Sequence, residues 1–119
     1  MTRVRILAAP DSFTGTLSAS QAAAAMVEGW QRTWEHDVAV ALPLSDGGPG
    51  FIDAIVAARG VQRVATTVRG PMGDPVTAHY AVAGPRAWIE SAAACGLALV
   101  PTARRDPLSA STFGVGELV

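Results

Sequence analysis

Three acidic residues each come soon after an apolar, strand-like run, and they are the first candidates for chemistry. They are Asp11 after residues 4–9, Asp46 after residues 38–42 and Glu90 after residues 87–89. In an open α/β sheet, ligands bind beyond the carboxyl ends of the strands, where turns and helix starts also offer backbone N–H groups to anions. Acids and amides at one edge suit a phosphorylated or carboxylated ligand held with a hard cation such as Mg²⁺.

Each acid also has a purely structural interpretation. Asp11 with Ser12 can form an Asx-type turn, and Asp46 lies in a Ser-Asp-Gly-Gly sequence of common turn composition. Glu90 can cap the small-residue turn that follows it. Because an acid directly after Ala-Trp-Ile is costly to bury unless it is hydrogen-bonded or functional, Glu90 gives the sharpest signal of the three.

Other polar residues carry weaker signals. We interpret His36 as a solvated residue at a helix end, His79 as a cross-strand partner and Cys95 as a small buried hydrophobe. Residues 104–106, Arg-Arg-Asp, are more typical of a solvated linker than of a phosphate clamp. The hydroxyl groups of Ser109, Ser111 and Thr112 can either cap a helix or donate to a ligand.

The elements that position these residues begin with alternating strand-like and helical patterns. In chain order they are strand 4–9, helix 18–34, strand 38–42 and helix 49–58. Ser18 and Gln21 have capping-box spacing at the start of the first helix, and its apolar stripe ends at Trp30 and Trp34, which we expect in the core. Alternating strands and helices are typical of a buried parallel sheet with crossover helices.

From residue 61 the pattern changes. Residues 61–68 and 76–82 are strand-like, and residues 69–75 between them are rich in turn residues. We therefore expect an antiparallel hairpin beside the parallel sheet. The remaining predicted elements are strand 87–89, a helical turn at 91–95 and a helix start at 112–119.

The composition excludes several classes of function. The 119 residues allow at most one complete domain, and nine basic against ten acidic residues give a net charge of −1, which argues against a nucleic-acid partner. All the basic residues are Arg, which excludes a lysine Schiff base and a phosphate-binding loop with its own Lys. The single Cys95 cannot form an internal disulfide. We expect a soluble, cytoplasmic protein without a signal peptide or membrane partner.

A series of short sequence blocks is more specific than any one of them. The blocks are APDSF at 9–13, LSA at 17–19, LSDGG at 44–48, GPMGDPV at 70–76, IESAAACGL at 89–97, RDPL at 105–108 and STFGVGEL at 111–118. Together they resemble the bacterial glycerate kinases of the type I (glycerate 2-kinase) family. They follow the family's order and span essentially the whole chain.

The resemblance implies an ATP- and Mg²⁺-dependent kinase that phosphorylates D-glycerate. The implied fold has two α/β domains, one of them a discontinuous Rossmann- or flavodoxin-like domain. This chain would be the N-terminal third, with residues 1–90 in the discontinuous domain and residues 91–119 forming a linker and the start of the second domain. It would be inactive alone. The alternatives are a non-catalytic ligand-binding or interaction fragment, or a kinase for a related small hydroxy acid.

The resemblance also implies roles for individual residues. Asp46 or Asp11 would orient Mg²⁺ or act as the base on the glycerate hydroxyl. Glu90 would position substrate hydroxyls or the metal shell, so that Asp46 and Glu90 are the candidate metal ligands. The expected substrate and phosphate contacts, including loop amides, are Ser12, Thr14, Gly15, Gly47, Gly48, Ser91 and Thr112.

Three positions depart from the family pattern. Thr14 stands where the family usually carries Lys, Pro49 where it carries Glu and Cys95 where it carries Ser. In one interpretation, Thr14 and Pro49 together replace a Lys and a Glu that contact each other in the family. Alternatively, the two changes indicate a different substrate. If the Lys binds a phosphate or carboxylate, an Arg or the metal must replace its charge.

Overall fold

The computed structural model describes residues 3–119, which contain five strands and four α-helices. They are β1 (Arg5–Ala8), α1 (Ala19–Thr33), β2 (Val38–Ala41), α2 (Phe51–Arg59), β3 (Gln62–Arg69), β4 (Pro75–Ala83), β5 (Arg86–Ile89), α3 (Ser91–Cys95) and α4 (Phe113–Leu118). The chain divides into two compact units, an N-terminal unit ending at Asp46 and a C-terminal unit beginning at Gly47. The predicted domain division after residue 90 concerns the longer family fold and stays a prediction.

The N-terminal unit is a parallel strand pair with one crossover helix. β1 pairs with β2 from Arg5 opposite Val38 to Ala8 opposite Ala41, and α1 packs against the pair. The predicted capping box is confirmed. Ser18 Oγ accepts from the Gln21 amide at 3.2 Å, and Gln21 Oε1 accepts from the Ser18 amide at 2.9 Å. Such a cap stabilises a helix by about 1 kcal/mol.

The predicted burial of these elements is wrong in part. Ala22 and Ala23 of α1 are buried, but Leu7 of β1 is 59% exposed and Trp34 after α1 is 49% exposed. Periodicity identifies the apolar face of an element but does not supply the layer that covers it. Within the described residues of this unit, α1 alone packs on the strand pair, so much of the apolar surface stays open.

The C-terminal unit is built on an antiparallel sheet in the order β3-β4-β5. The predicted hairpin is confirmed, with Gln62 opposite Val82 and Arg69 opposite Pro75. The core of this unit joins the sheet to α3 and α4 through Val68, Ala78, Ala94 and Leu118. The mixed α/β architecture expected from the sequence is therefore present, with a parallel pair and an antiparallel sheet.

One placement differs from the prediction. We expected Glu90 at the carboxyl edge of the parallel sheet, but β5, which precedes it, pairs antiparallel with β4. The physical reason is the short turn between β4 and β5, where Gly84 takes φ +53°. Such a turn favours a local antiparallel pair, because a parallel neighbour needs a long crossover.

The described helices also bear on membrane insertion. Within residues 3–119, no helix combines the length and the apolar character needed to cross a bilayer.

The close approach of α4 to β3 depends on Gly114. A Cβ atom at this position would overlap the carbonyl oxygen of Arg69. Two further contacts join α4 to Arg69 at the end of β3. Glu117 Oε2 accepts from the Arg69 amide at 2.6 Å, and the Arg69 guanidinium lies 4.2 Å from the centre of the Phe113 ring. A methyl group at residue 114 would therefore push the helix away from the sheet.

We expect Gly114→Ala to lower the free energy of unfolding by about 1–3 kcal/mol, the usual cost of overpacking. Urea denaturation of the full-length protein measures the change. Gly116→Ala in the same helix is the matched control, because a Cβ there meets nothing within 4 Å. Equal unfolding midpoints for the two variants would contradict the proposed contact.

Candidate functional site

The parallel pairing of the N-terminal unit continues beyond the ends of its two strands. The Leu42 amide donates to the Ala8 carbonyl at 2.8 Å, and the Leu44 amide donates to the Pro10 carbonyl at 2.9 Å. Asp11 directly follows Pro10, and Asp46 lies two residues after Leu44. The backbone therefore delivers both acids to the carboxyl edge of this strand pair, where open α/β sheets bind ligands.

The loop after β1 is a tight, hydrogen-bonded turn. Asp11 Oδ1 accepts from the Ser12 amide at 2.6 Å, and the Phe13 amide donates to the Leu17 carbonyl at 2.9 Å. Gly15 takes φ +79° at the tip, a conformation that glycine adopts without strain. Of the amides of the predicted contact residues Ser12, Thr14 and Gly15, that of Ser12 is thus engaged. Among residues 3–119, those of Thr14 and Gly15 are not hydrogen-bonded.

The turn between β2 and α2 depends on glycine. Gly47 takes φ +97° and Gly50 takes φ +95°, both in the left-handed region. The Phe51 amide donates to the Gly48 carbonyl at 3.1 Å, which closes the turn onto the first residue of α2. Gly47 and Gly48 therefore give the backbone a fixed shape directly after Asp46.

Glu90 makes a contact that no local pattern indicates. Its side chain is buried, with 9% exposed, and Oε2 accepts from the Ile52 amide at 3.1 Å. The structural alternative, in which the Glu90 side chain caps the following turn, is not observed. No side chain caps α3, and the Ala93 amide donates to the backbone carbonyl of Glu90. The carboxylate instead serves the start of α2, where the helix dipole favours a negative charge.

Ser91 and Thr112 share one surface feature of the C-terminal unit. Both line an open groove of about 730 Å³, together with Cys95. Ser111 Oγ accepts from the Phe113 amide at 3.1 Å, whereas the Thr112 side chain makes no capping bond to α4. Of the two functions considered for these hydroxyls, Ser111 performs the capping, and Thr112 faces the groove.

The weaker candidates have structural partners. His36 lies 3.5 Å from Glu35 on the surface, and His79 stands opposite Ala65 in the β3–β4 ladder. Arg104 pairs with Asp74 at 2.8 Å.

The carboxylate of Asp106 supports the interpretation of residues 104–106 as a linker, because it bonds its own neighbours in the chain. Hydrogen bonds from the Ser109 hydroxyl and the Leu108 amide hold the pKa of Asp106 below its usual value. The charged form of this side chain therefore closes a local turn.

The donor set fits a magnesium ion that is held partly by its ligand. Among residues 3–119, no three His, Cys, Asp or Glu side chains form a group able to hold a metal. Mg²⁺ usually needs no such cage, since one or two carboxylates and the phosphates of a nucleotide complete its shell. The edge that carries Asp11 and Asp46 offers these carboxylates.

A parallel strand pair with a crossover helix and two acids at its carboxyl edge is an α/β arrangement, and open α/β sheets bind their ligands at this edge. The model of the "Glycerate kinase family" matches residues 6–119. The chain belongs to this family. The resemblance expected from the sequence blocks is thereby confirmed.

Several known proteins match almost the whole of this chain. Glycerate 2-kinase of Escherichia coli (strain K12) is 42% identical over 98% of this chain, and a glycerate kinase of Halalkalibacterium halodurans is 43% identical over 96% of it. A crystal structure from Salmonella typhimurium LT2, provisionally assigned as glycerate kinase 2, superimposes with a TM-score of 0.74 at 43% identity over 97% of this chain. The chain spans about a third of each of these proteins, 31%, 30% and 32% of their lengths.

Sequence reasoning missed the partner of Glu90. One signal could have found it, because α2 begins after Gly50, a residue without a side chain to cap the helix. A helix start without a local cap must take an acceptor from elsewhere in the chain. A carboxylate at a strand end is a natural candidate for that acceptor.

Proposed function

We propose that the full-length protein is an ATP-dependent glycerate kinase that transfers a phosphoryl group to a hydroxyl of D-glycerate. The observation that carries the proposal is the family match over residues 6–119, supported by 42% identity to a glycerate 2-kinase. Mg²⁺ accompanies ATP, whose γ-phosphoryl group is the one transferred. We place this reaction in the cytoplasm.

The acids of the N-terminal unit have the central role in this proposal. Phosphoryl transfer needs positioning and charge stabilisation more than covalent chemistry. Asp46 or Asp11 orients the metal shell or accepts the proton of the acceptor hydroxyl. The amides of Thr14 and Gly15 are placed in a tight turn at the same edge, where they can donate to a carboxylate or phosphate oxygen.

The C-terminal unit holds the other candidate residues. Gly47 and Gly48 set the backbone directly after Asp46, and Ser91 and Thr112 offer hydroxyls to a ligand in their groove. Glu90, the other metal ligand suggested by the resemblance, lies in this unit, where its carboxylate accepts from the Ile52 amide. That contact favours a role at the start of α2 over one in the metal shell.

Thr14 bears on which acceptor the enzyme uses. It replaces a family Lys, and the chain contains no Lys at any position. A neutral side chain cannot supply the point charge of an ammonium group to an anionic acceptor. We therefore include related small hydroxy acids in the test of the acceptor.

We expect the full-length protein to release ADP when it is supplied with ATP, Mg²⁺ and D-glycerate. A coupled assay of ADP release measures turnover, and a panel of small hydroxy acids tests the acceptor. Omission of the acceptor controls for ATP hydrolysis by water. Release of ADP at the same rate with and without every acceptor would contradict the proposal.

Asp11→Asn and Asp46→Asn should each lower kcat in the full-length protein by about tenfold or more, equivalent to about 1.4 kcal/mol of transition-state stabilisation. An amide keeps the size of the side chain but removes the charge that orients the metal or takes the proton. Glu28→Gln is the control, because Glu28 forms an exposed ion pair with Arg32 on α1. Wild-type turnover in both aspartate variants would refute their assignment.

The 119 residues expressed alone should show no turnover with ATP and D-glycerate. They correspond to about a third of the relatives' length, and phosphoryl transfer needs a site that surrounds the nucleotide. The same ADP assay, run beside the full-length protein at equal concentration, measures the difference. Comparable turnover by the two proteins would contradict this expectation.

A further inference from the structure

Glu90 is the one charged side chain among the buried residues that the structure describes. Its Oε2 atom accepts from the Ile52 amide at 3.1 Å, across 38 positions of the chain. Ile52 is itself 1% exposed, so water does not take the place of this acceptor. A buried amide without an acceptor is costly, and the positive end of a helix stabilises a carboxylate.

The first turn of α2 obtains its other acceptors from the turn that precedes it. The Phe51 amide donates to the Gly48 carbonyl at 3.1 Å, and the Ala54 amide donates to the Gly50 carbonyl at 3.0 Å. Gly50 itself provides no side-chain cap. The turn, the helix start and the end of β5 are thus joined by consecutive hydrogen bonds, and Glu90 supplies the link to β5.

We propose that Glu90 is a positioning residue, whose carboxylate fixes the Gly47–Gly50 turn by closing the N-terminus of α2, and that it does not act on the reacting atoms. The proposal rests on the proposed kinase function. This turn follows Asp46 directly in the chain, so its shape sets the course of the backbone at a candidate catalytic acid. Residue 90 must provide an acceptor oxygen on a side chain long enough to reach the Ile52 amide, and its negative charge matters less for this role.

Two conservative variants separate reach from charge. Glu90→Gln keeps an acceptor oxygen at the same distance along the side chain but removes the charge. Glu90→Asp keeps the charge but is one methylene shorter, so its oxygens fall short of the Ile52 amide. A residue that acts by its charge would tolerate Asp better than Gln, and a residue that acts by its reach would tolerate Gln better than Asp.

In the full-length protein, we expect Glu90→Gln to keep kcat within about threefold of wild type. Glu90→Asp should lower kcat by about tenfold or more, because a misplacement of about 1 Å can reduce a rate by that much or more. The KM for ATP and for D-glycerate should change less than kcat in both variants, since the effect falls on alignment and not on ligand contact.

Hydrogen exchange at single amides provides a readout independent of turnover. We expect Glu90→Asp to accelerate exchange at the Ile52 amide and at the amides of the preceding turn, while Glu90→Gln leaves them protected. Asp37→Ala is the matched control. Asp37 Oδ1 also accepts from a distant backbone amide, that of Val4 at 2.9 Å, but it lies at the other end of the parallel pair. This variant should accelerate exchange at Val4 and leave kcat unchanged.

Three results would overturn the proposal. They are a loss of kcat in Glu90→Gln as large as that in Glu90→Asp, unchanged exchange at Ile52 in Glu90→Asp, and an equal loss of kcat in Asp37→Ala. A wild-type protein that phosphorylates no acceptor would refute the proposed function and the kinetic half of this inference. The exchange rates would still decide whether Glu90 fixes the turn, so the two failures are distinguishable.

Discussion

The amide of Ile52 must find an acceptor away from water, and the arrangement of α2 in the C-terminal unit depends on this constraint. The residue before the helix has no side chain, so no local cap is available. Glu90 supplies the acceptor from the end of β5. Since a backbone amide left unpaired in a buried place is costly, this one hydrogen bond fixes the helix, the turn before it and the strand end together.

A different constraint governs the N-terminal unit. Parallel strands need a crossover connection, here a helix. Because β1 and β2 run in the same direction and in register, the segments that follow their carboxyl ends begin next to each other. The bond from the Leu44 amide to the Pro10 carbonyl extends that register to the residues just before the two acids. In each unit, hydrogen bonds to the backbone set the path of the chain next to the candidate residues of that unit.

The sequence predicts the features that depend on near neighbours. The capping box joins Ser18 and Gln21, which are three residues apart, and was therefore recognised from their spacing. The exposure of Trp34 and the sheet to which β5 belongs were mispredicted, because both depend on which distant surfaces meet. The partner of Glu90 was missed for the same reason, since 38 residues separate it from Ile52.

The charges at the edge of the parallel pair bear on which group could bind an anionic ligand there. Of the nine Arg residues, six have partners within residues 3–119, namely Arg32, Arg59, Arg63, Arg69, Arg104 and Arg105. Thr14 brings no charge to the first loop, whereas Asp11 and Asp46 bring two negative charges to the same edge. An anionic acceptor and a nucleotide would add more. If the family Lys binds a phosphate or carboxylate, the proposed function therefore calls for a divalent cation at these carboxylates or for one of the other Arg residues to supply that positive charge.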